Sequence, residues 1–140
     1  MAKQNVNEEE LKQKYMQFKM MQEQLEKLQE HGEMLKLRNS ELDVTIESLK
    51  EIGKTKKDTE ILAPLADGIF MRTQLKDNEK LILNVGADVV IEKNISDVMK
   101  LIEEQKKGIT LKVIELDGFK QELQNQSMKM YQELEENMEE

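Results

Sequence analysis

The chain has 140 residues, of which 36% are charged and only 4% are aromatic, and its formal net charge is −8. This composition favours long helices with a narrow apolar seam over a compact globular core, and the acidic balance argues against a nucleic-acid partner. The absence of cysteine excludes disulfides, and no membrane-spanning run or signal-peptide pattern is found, so we expect a cytoplasmic protein.

The first predicted element is a helix over residues 8–53 in which apolar residues recur every seven positions. The first series, taken as heptad position a, is Leu11, Phe18, Leu25, Gly32, Asn39 and Ile46. The second series, position d, is Lys14, Met21, Leu28, Leu35, Leu42 and Leu49. Nine of these twelve positions are apolar, which predicts a coiled coil. Gly53 is expected to end the helix, since glycine readily forms the left-handed C-cap.

The middle segment, residues 60–92, changes to an apolar period of two, which is typical of β-strands. Four short strands are predicted, at residues 60–65, 69–75, 81–85 and 89–92, with a turn at Asp67-Gly68 and another at 86–88. Two isolated hairpins leave unpaired edges and an uncovered apolar face, so we expect this segment to join other subunits. The residues predicted to form that oligomer interface are Ile69, Met71, Leu75, Leu81, Leu83, Val85, Val89 and Ile91.

The last predicted element is a helix over residues 94–139. Its first apolar series is Ile95, Ile102, Ile109, Leu116, Leu123 and Met130. The series four residues later is Met99, Lys106, Val113, Lys120, Ser127 and Leu134. Half of the second series is polar, so this helix needs a partner. Because the two helices are about equally long, we predict that they pair antiparallel, with Ile52 near Ile95 and the chain termini together at the far end.

Several large apolar side chains near that far end fall outside both seams. They are Tyr15, Met16 and Met20 on the first helix and Met128, Tyr131 and Met138 on the second. Exposed apolar clusters usually mark a binding surface, and the unbranched thioether of methionine adapts to irregular partners. A second off-seam group lies about midway along the helices and could be another binding surface or a contact with a neighbouring helix. Its members are Met34, Leu37, Leu111 and Ile114.

The order of a long helix, two β-hairpins and a second long helix resembles the prefoldin family, specifically its alpha class. Two segments carry the resemblance: Ile61-Leu62-Ala63-Pro64-Leu65, and residues 83–93, which read LNVGADVVIEK. They look like the family's strand containing Val-Pro-Leu and its Val-Gly-x-Gly…Glu-Lys segment. The chain departs from that pattern at Ala63 and Asp88, where many relatives carry Val and Gly.

The resemblance implies an α+β fold in one prefoldin-like domain over residues 1–140, a long antiparallel coiled-coil hairpin whose two small β-hairpins, at its closed end, join an oligomeric β-barrel. It implies an ATP-independent chaperone, or holdase, that binds non-native proteins at its coiled-coil tips and delivers them to a group II chaperonin, without a cofactor. The implied assembly is a heterohexamer of two alpha and four beta-class subunits. The gamma-type paralogue instead forms homomeric filaments, so a structural filament or scaffold subunit is the alternative.

In such a chaperone, a set of methionine and aromatic residues at the tips would contact the client. These are Tyr15, Met16, Phe18, Met20, Met21, Met128, Met130, Tyr131 and Met138. For the seam residues Phe18 and Met21, packing within the coiled coil is the simpler interpretation.

Catalysis and metal binding are not expected. The chain has no Gly-x-x-x-x-Gly-Lys phosphate loop. His31, the single histidine, lies on a charged helix with no cysteine to complete a metal site. We therefore do not predict an enzyme.

Overall fold

A computed structural model of the chain describes the backbone of residues 2–139 and the side chains of residues 8–137. In chain order the elements are α1 (Ala2–Lys54), β1 (Glu60–Ala66), β2 (Ile69–Gln74), β3 (Lys80–Gly86), β4 (Val89–Asn94) and α2 (Ile95–Glu139). The predicted fold class, two long helices joined through two small β-hairpins, is confirmed. Neither α1 nor α2, over the part that the structure describes, has an apolar stretch suited to crossing a membrane.

The end of α1 differs from the prediction, because Gly53 does not cap the helix. Gly53 is helical, and α1 continues to Lys54. The last turn is closed by Thr55, whose Oγ1 donates a hydrogen bond of 2.7 Å to the carbonyl of Glu51. Between α1 and β1 the residue with a positive φ is Asp58, at 67°, and aspartate is among the side chains that tolerate this left-handed conformation.

The chain divides into two compact units. One, here called the terminal unit, comprises Met1–Arg38 and Ile109–Glu140, and the other, the central unit, comprises Asn39–Gly108.

In the terminal unit the side chains shielded from solvent follow the predicted heptads. Along α1 the shielded residues are Leu11, Lys14, Phe18, Met21, Leu25, Leu28, Gly32 and Leu35. Along α2 they are Ile109, Val113, Leu116, Lys120, Leu123, Ser127, Met130 and Leu134. Every other residue of these two stretches whose side chain is described is exposed. The seam of this coiled coil is therefore the predicted one.

Contacts across the seam of the terminal unit show that its two helices run antiparallel. The Gln22 side-chain amide donates a hydrogen bond of 2.7 Å to the hydroxyl of Ser127. Eight residues earlier on α1, the Lys14 ammonium lies 3.4 Å from the carboxylate of Glu133, which is later on α2. Ser127 is buried, so its hydrogen bond offsets the desolvation of a polar group in the seam.

The central unit has a small apolar core of its own. Its members are Leu42, Ile46, Leu75, Ile95 and Val98. The heptad positions Leu42 and Ile46 of α1 thus contribute to this core, and Lys106 of α2 forms an ion pair with Asp43 of α1.

The two β-hairpins of the central unit are structural repeats of each other, offset by 20 residues. Ile61 pairs with Thr73 in the first hairpin, and Leu81 pairs with Lys93 in the second. Both hairpins have the same pattern of exposure along each strand and an irregularity at the same place before the turn.

The turns of the two hairpins differ in chemistry. In the first, only Gly68 has a positive φ, 75°. In the second, Gly86, Ala87 and Asp88 all do, at 112°, 51° and 58°, and the last two are the pair that a type I′ turn requires. The second turn therefore places alanine in a conformation that is costly for an L-residue.

Candidate functional site

The candidate site is a groove on one side of the terminal unit, between α1 and α2, here called the tyrosine groove. It encloses about 570 Å³ and is lined by Leu11, Lys12, Tyr15, Met16, Phe18, Tyr131, Leu134 and Glu135. Leu11, Phe18 and Leu134 are seam residues, so the seam itself forms the apolar floor. Tyr15 and Tyr131 flank that floor because each lies one position beyond a seam residue in its helix.

An aromatic contact between the helices organises the groove. The rings of Phe18 and Tyr131 have their centroids 5.9 Å apart with planes inclined by 38°. That separation is in the range of about 4.5–7 Å at which aromatic rings attract each other. Tyr131 nevertheless remains 50% exposed, and Tyr15 remains 52% exposed. Half of each tyrosine surface is therefore available to a bound molecule.

A second groove continues from the first along the same side, and it is here called the methionine groove. It encloses about 430 Å³ and is lined by Phe18, Gln22, Leu25, Gln124, Asn125, Ser127, Met128 and Tyr131. Phe18 and Tyr131 line both grooves, so the two are continuous. Amide side chains make this second groove more polar, and Met128 and Tyr131 are its exposed large apolar side chains.

The charges at the tyrosine groove are of opposite sign and lie on different helices. Lys12 is on α1 and Glu135 is on α2. The Tyr131 hydroxyl donates a long hydrogen bond of 3.5 Å to a carboxylate oxygen of Glu135. An apolar floor with one positive and one negative side chain at its edge suits large apolar side chains and has no strong preference for the charge that accompanies them.

The structure separates the predicted contact residues into three sets. Tyr15, Met16, Phe18, Met128 and Tyr131 line the two continuous grooves. Met21 and Met130 are half-buried in the seam, and Met20 is exposed but lines neither groove. Met138 lies outside the residues whose side chains are described.

Sequence reasoning missed two of the three floor residues of the tyrosine groove and its charged edge. Leu11 and Leu134 are predicted only as seam residues, although Tyr15 follows Leu11 by four residues and Tyr131 precedes Leu134 by three, spacings that place each pair side by side on its helix. Lys12 and Glu135 carried no signal beyond being charged residues on a helix.

A third groove, of about 600 Å³, shares no residue with the other two. It is lined by Gln24, Lys27, Leu28, His31, Phe119, Glu122, Leu123 and Gln126. Phe119 is its one exposed large apolar side chain. Within residues 8–137, no three His, Cys, Asp or Glu side chains come together in a way that could hold a metal ion. The mid-helix group of Met34, Leu37, Leu111 and Ile114 is exposed and lines none of the three grooves.

The predicted oligomer interface in the central unit divides into exposed and shielded residues. Leu75 is buried in the core of the unit, and Leu81 and Leu83 are half-buried. The exposed members are Ile69, Met71, Val85, Val89 and Ile91.

The opposite face of the hairpins also exposes large apolar side chains, which the sequence reasoning missed. They are Leu62, Phe70, Ile82 and Val90. The signal was present in two apolar triplets, residues 81–83 and 89–91, because an unbroken apolar run indicates a strand that is covered on both faces.

Comparison with known proteins gives one consistent family. The Prefoldin subunit family profile matches residues 21–140. Prefoldin subunit alpha of Methanococcus aeolicus is 44% identical over 92 residues, which are 65% of this chain and 61% of that protein. Prefoldin subunit alpha of Methanococcus maripaludis (strain DSM 14266) is 36% identical over 103 residues, covering 71% of this chain and 69% of that one. The chain thus spans only about 61% of the length of the Methanococcus aeolicus relative.

A solved structure shares the fold. It is the filamentous PFD from Methanocaldococcus jannaschii, determined by cryo-electron microscopy, with a TM-score of 0.72 and 18% identity. The match covers 82% of this chain and 95% of the other.

Proposed function

We propose, from the premise that the chain belongs to the prefoldin family, that it is a subunit of an ATP-independent holding chaperone. The tyrosine groove is the observation that carries this proposal. The coiled coil of the terminal unit already covers its own seam, yet Tyr15, Met16 and Tyr131 add apolar surface beside it. Tyr131 packs against Phe18 with part of its ring, but the exposed parts of these three side chains are not used in packing between α1 and α2.

The chemistry of the groove suits non-native polypeptides. Such chains expose the large apolar side chains that a native fold would bury, and the groove offers aromatic faces and a flexible thioether to receive them. One groove should bind weakly and with little selectivity. Several copies held on one oligomer would raise the overall affinity through effective concentration.

The remaining parts of the proposal rest on the family. The subunit would assemble in the cytoplasm with beta-class prefoldin subunits through its β-hairpins and pass clients to a group II chaperonin. Relatives named prefoldin subunit alpha support the alpha-class assignment.

The decisive experiment removes both ends of the terminal unit, residues 1–22 and 126–140. We expect assembly to persist while suppression of aggregation of a chemically denatured client falls. A matched control removes residues 1–7 only, ahead of the tyrosine groove, and should keep the activity. If the doubly truncated protein suppresses aggregation as well as the full chain, the groove is not the client site.

A homomeric filament subunit is a second candidate. It is favoured by hairpins that expose apolar side chains on both faces, and a protein of similar fold is described as filamentous. Electron microscopy of the purified chain alone separates the two candidates. Long filaments support the second candidate, whereas a small species that becomes a hexamer only on addition of a beta-class subunit rules it out.

A further inference from the structure

We propose that Met16 and Met128 are reversible oxidation sites, at which a peroxide-class oxidant converts the thioethers to sulfoxides and thereby weakens client holding. This inference rests on the proposed function, because it concerns the regulation of the same grooves. The order in which the methionines are oxidised can be measured without any client.

Methionine carries all the sulfur of this chain, which has ten methionines and no cysteine. An oxidant that attacks sulfur therefore has only thioethers to react with, and exposure decides which of them react first. Met16 is 66% exposed and Met128 is 68% exposed. Met21 and Met130 are half-buried in the seam, where α1 and α2 shield them from a dissolved oxidant.

Oxidation of Met16 and Met128 should affect client binding because both side chains line the candidate site. Met16 lines the tyrosine groove, and Met128 lines the methionine groove that continues from it. Met20 and Met34 are similarly exposed, at 61% and 69%, but line neither of these grooves. Exposed methionines inside and outside the candidate site can therefore be compared within the same chain.

The reaction is balanced with the peroxide as the only co-reactant. A lone pair of the thioether sulfur attacks one peroxide oxygen, a sulfur–oxygen bond forms and the oxygen–oxygen bond breaks. The other oxygen leaves as hydroxide with the bonding electrons and takes the proton of the transferred hydroxyl, which gives water and the sulfoxide. Sulfur loses two electrons and the peroxide gains them. Methionine sulfoxide reductases reverse the step, one enzyme for each sulfoxide epimer.

A sulfoxide changes the groove without dismantling the helices. Its oxygen is polar and prefers water, so a client side chain in the groove would meet a hydrated wall instead of a thioether. The contact between sulfur and an aromatic ring of the client would also be weakened. Because the seam methionines are shielded, partial oxidation should leave the coiled coil formed, and client holding should be lost before the fold is.

The first measurement treats the full chain with dilute hydrogen peroxide and follows each methionine by peptide mass spectrometry. We expect Met16, Met20, Met34 and Met128 to oxidise several-fold faster than Met21 and Met130. Equal rates at exposed and seam positions would overturn the inference, since oxidation could then not be confined to the surface.

The second measurement compares suppression of client aggregation before and after peroxide, with circular dichroism to follow helix content. We expect a loss of roughly fivefold for each oxidised groove methionine, the size of a lost sulfur–aromatic contact, with unchanged helix content. Treatment with methionine sulfoxide reductases should restore the activity.

Two double variants locate the effect. Leucine replaces methionine because it has nearly the same volume but no sulfur. Each variant is compared with its own untreated activity, so that any effect of the substitution itself is removed. Met16→Leu/Met128→Leu should resist peroxide, whereas Met20→Leu/Met34→Leu should lose activity as the parent does. If the groove variant is inactivated as fast as the parent, the inference is wrong while the proposed function stands. A parent chain that never suppresses aggregation overturns both.

Discussion

The β-hairpins of the central unit and the coiled coil of the terminal unit both expose large apolar side chains, but for different reasons. The hairpins have apolar residues on two faces, and only the residues nearest the core, such as Leu75, are covered within the chain. The coiled coil has a complete seam, and its exposed residues, such as Met16 and Tyr131, are additional to it.

The comparison shows that exposure alone does not tell an assembly surface from a binding surface. A two-stranded hairpin is marginally stable by itself, so its exposed side chains are expected to be covered permanently by other subunits. A coiled coil is stable with its seam covered, so its extra apolar side chains stay exposed, and under the proposed function they bind and release a client. Charges placed on the hairpins should therefore abolish assembly, whereas charges placed in the grooves should weaken client holding and leave assembly intact.

The largest effect is expected from a charge on the hairpin face that exposes Leu62, Phe70, Ile82 and Val90. Ile82 is 75% exposed, and Leu62 is its counterpart in the first hairpin. Leu62→Asp/Ile82→Asp should abolish assembly, because a buried unpaired carboxylate costs several kcal/mol. Analytical ultracentrifugation measures the change in mass, and circular dichroism should show that α1 and α2 remain helical.

Val44→Asp is the matched control, because Val44 is an apolar side chain of the central unit that is 66% exposed but lies on α1, outside the hairpins. Assembly should survive this change. If the Leu62/Ile82 variant assembles normally, this face of the hairpins stays exposed to solvent in the oligomer.

The next effect concerns the grooves. Met16→Glu should weaken client holding by roughly tenfold, because about 1–2 kcal/mol of apolar contact is replaced by a hydrated charge. Met20→Glu changes a similarly exposed methionine on the same helix outside both grooves, so its effect should be much smaller. Suppression of client aggregation measures both. Equal losses would mean that general surface hydrophobicity, rather than the groove, holds the client.

A smaller effect is expected in the second hairpin turn. Ala87→Gly should stabilise the hairpin by about 1 kcal/mol, because glycine adopts a φ of 51° without steric cost. Urea unfolding measures the gain. Ala63→Gly, in the middle of β1, should instead destabilise by about 0.5–1 kcal/mol. Stabilisation by both substitutions would show that the turn is not the source of strain.

The smallest effect is a pH dependence at Asp77, between β2 and β3. Its Oδ1 accepts hydrogen bonds from the amides of Glu79, at 2.8 Å, and Lys80, at 3.1 Å. These bonds, the Glu79 one first, lower the pKa of Asp77, and the charges of Lys57 and Lys80 lower it further. The stability they contribute is present above the unfolded-state pKa and is lost as pH falls through the folded-state pKa.

NMR titration of Asp77 with amide exchange at Glu79 tests this pH dependence. Protection of the Glu79 amide should fall in the acid range together with protonation of Asp77, and Asp77→Asn should remove the coupling. A pKa at or above the ordinary aspartate value would contradict the assignment.

The repetitive parts of the molecule were predictable from sequence. A seven-residue apolar period identifies a seam directly, and every seam position in the terminal unit, including the polar Lys14 and Ser127, is shielded as predicted. The strand pairing was also predictable, because the Asp67-Gly68 turn sets the register of the first hairpin.

The sequence did not show which of the off-seam side chains line a groove between the two helices. Met16 and Met20 looked equivalent as off-seam methionines, yet only Met16 lines the tyrosine groove. The end of α1 was misplaced because a glycine inside a helix costs only about 1 kcal/mol, which the continuing turn at Thr55 offsets.

The most direct test of client binding in the grooves is NMR of the full chain carrying methyl-¹³C methionine, recorded with and without a chemically denatured client. Its ten methionines place probes in the grooves, in the seam, in the central unit and on the outer surface. We expect the methyl signals of Met16 and Met128 to shift most on client binding, with Met20 and Met34 nearly unchanged. Shifts concentrated at Met20 or Met34, with Met16 and Met128 unaffected, would contradict the account.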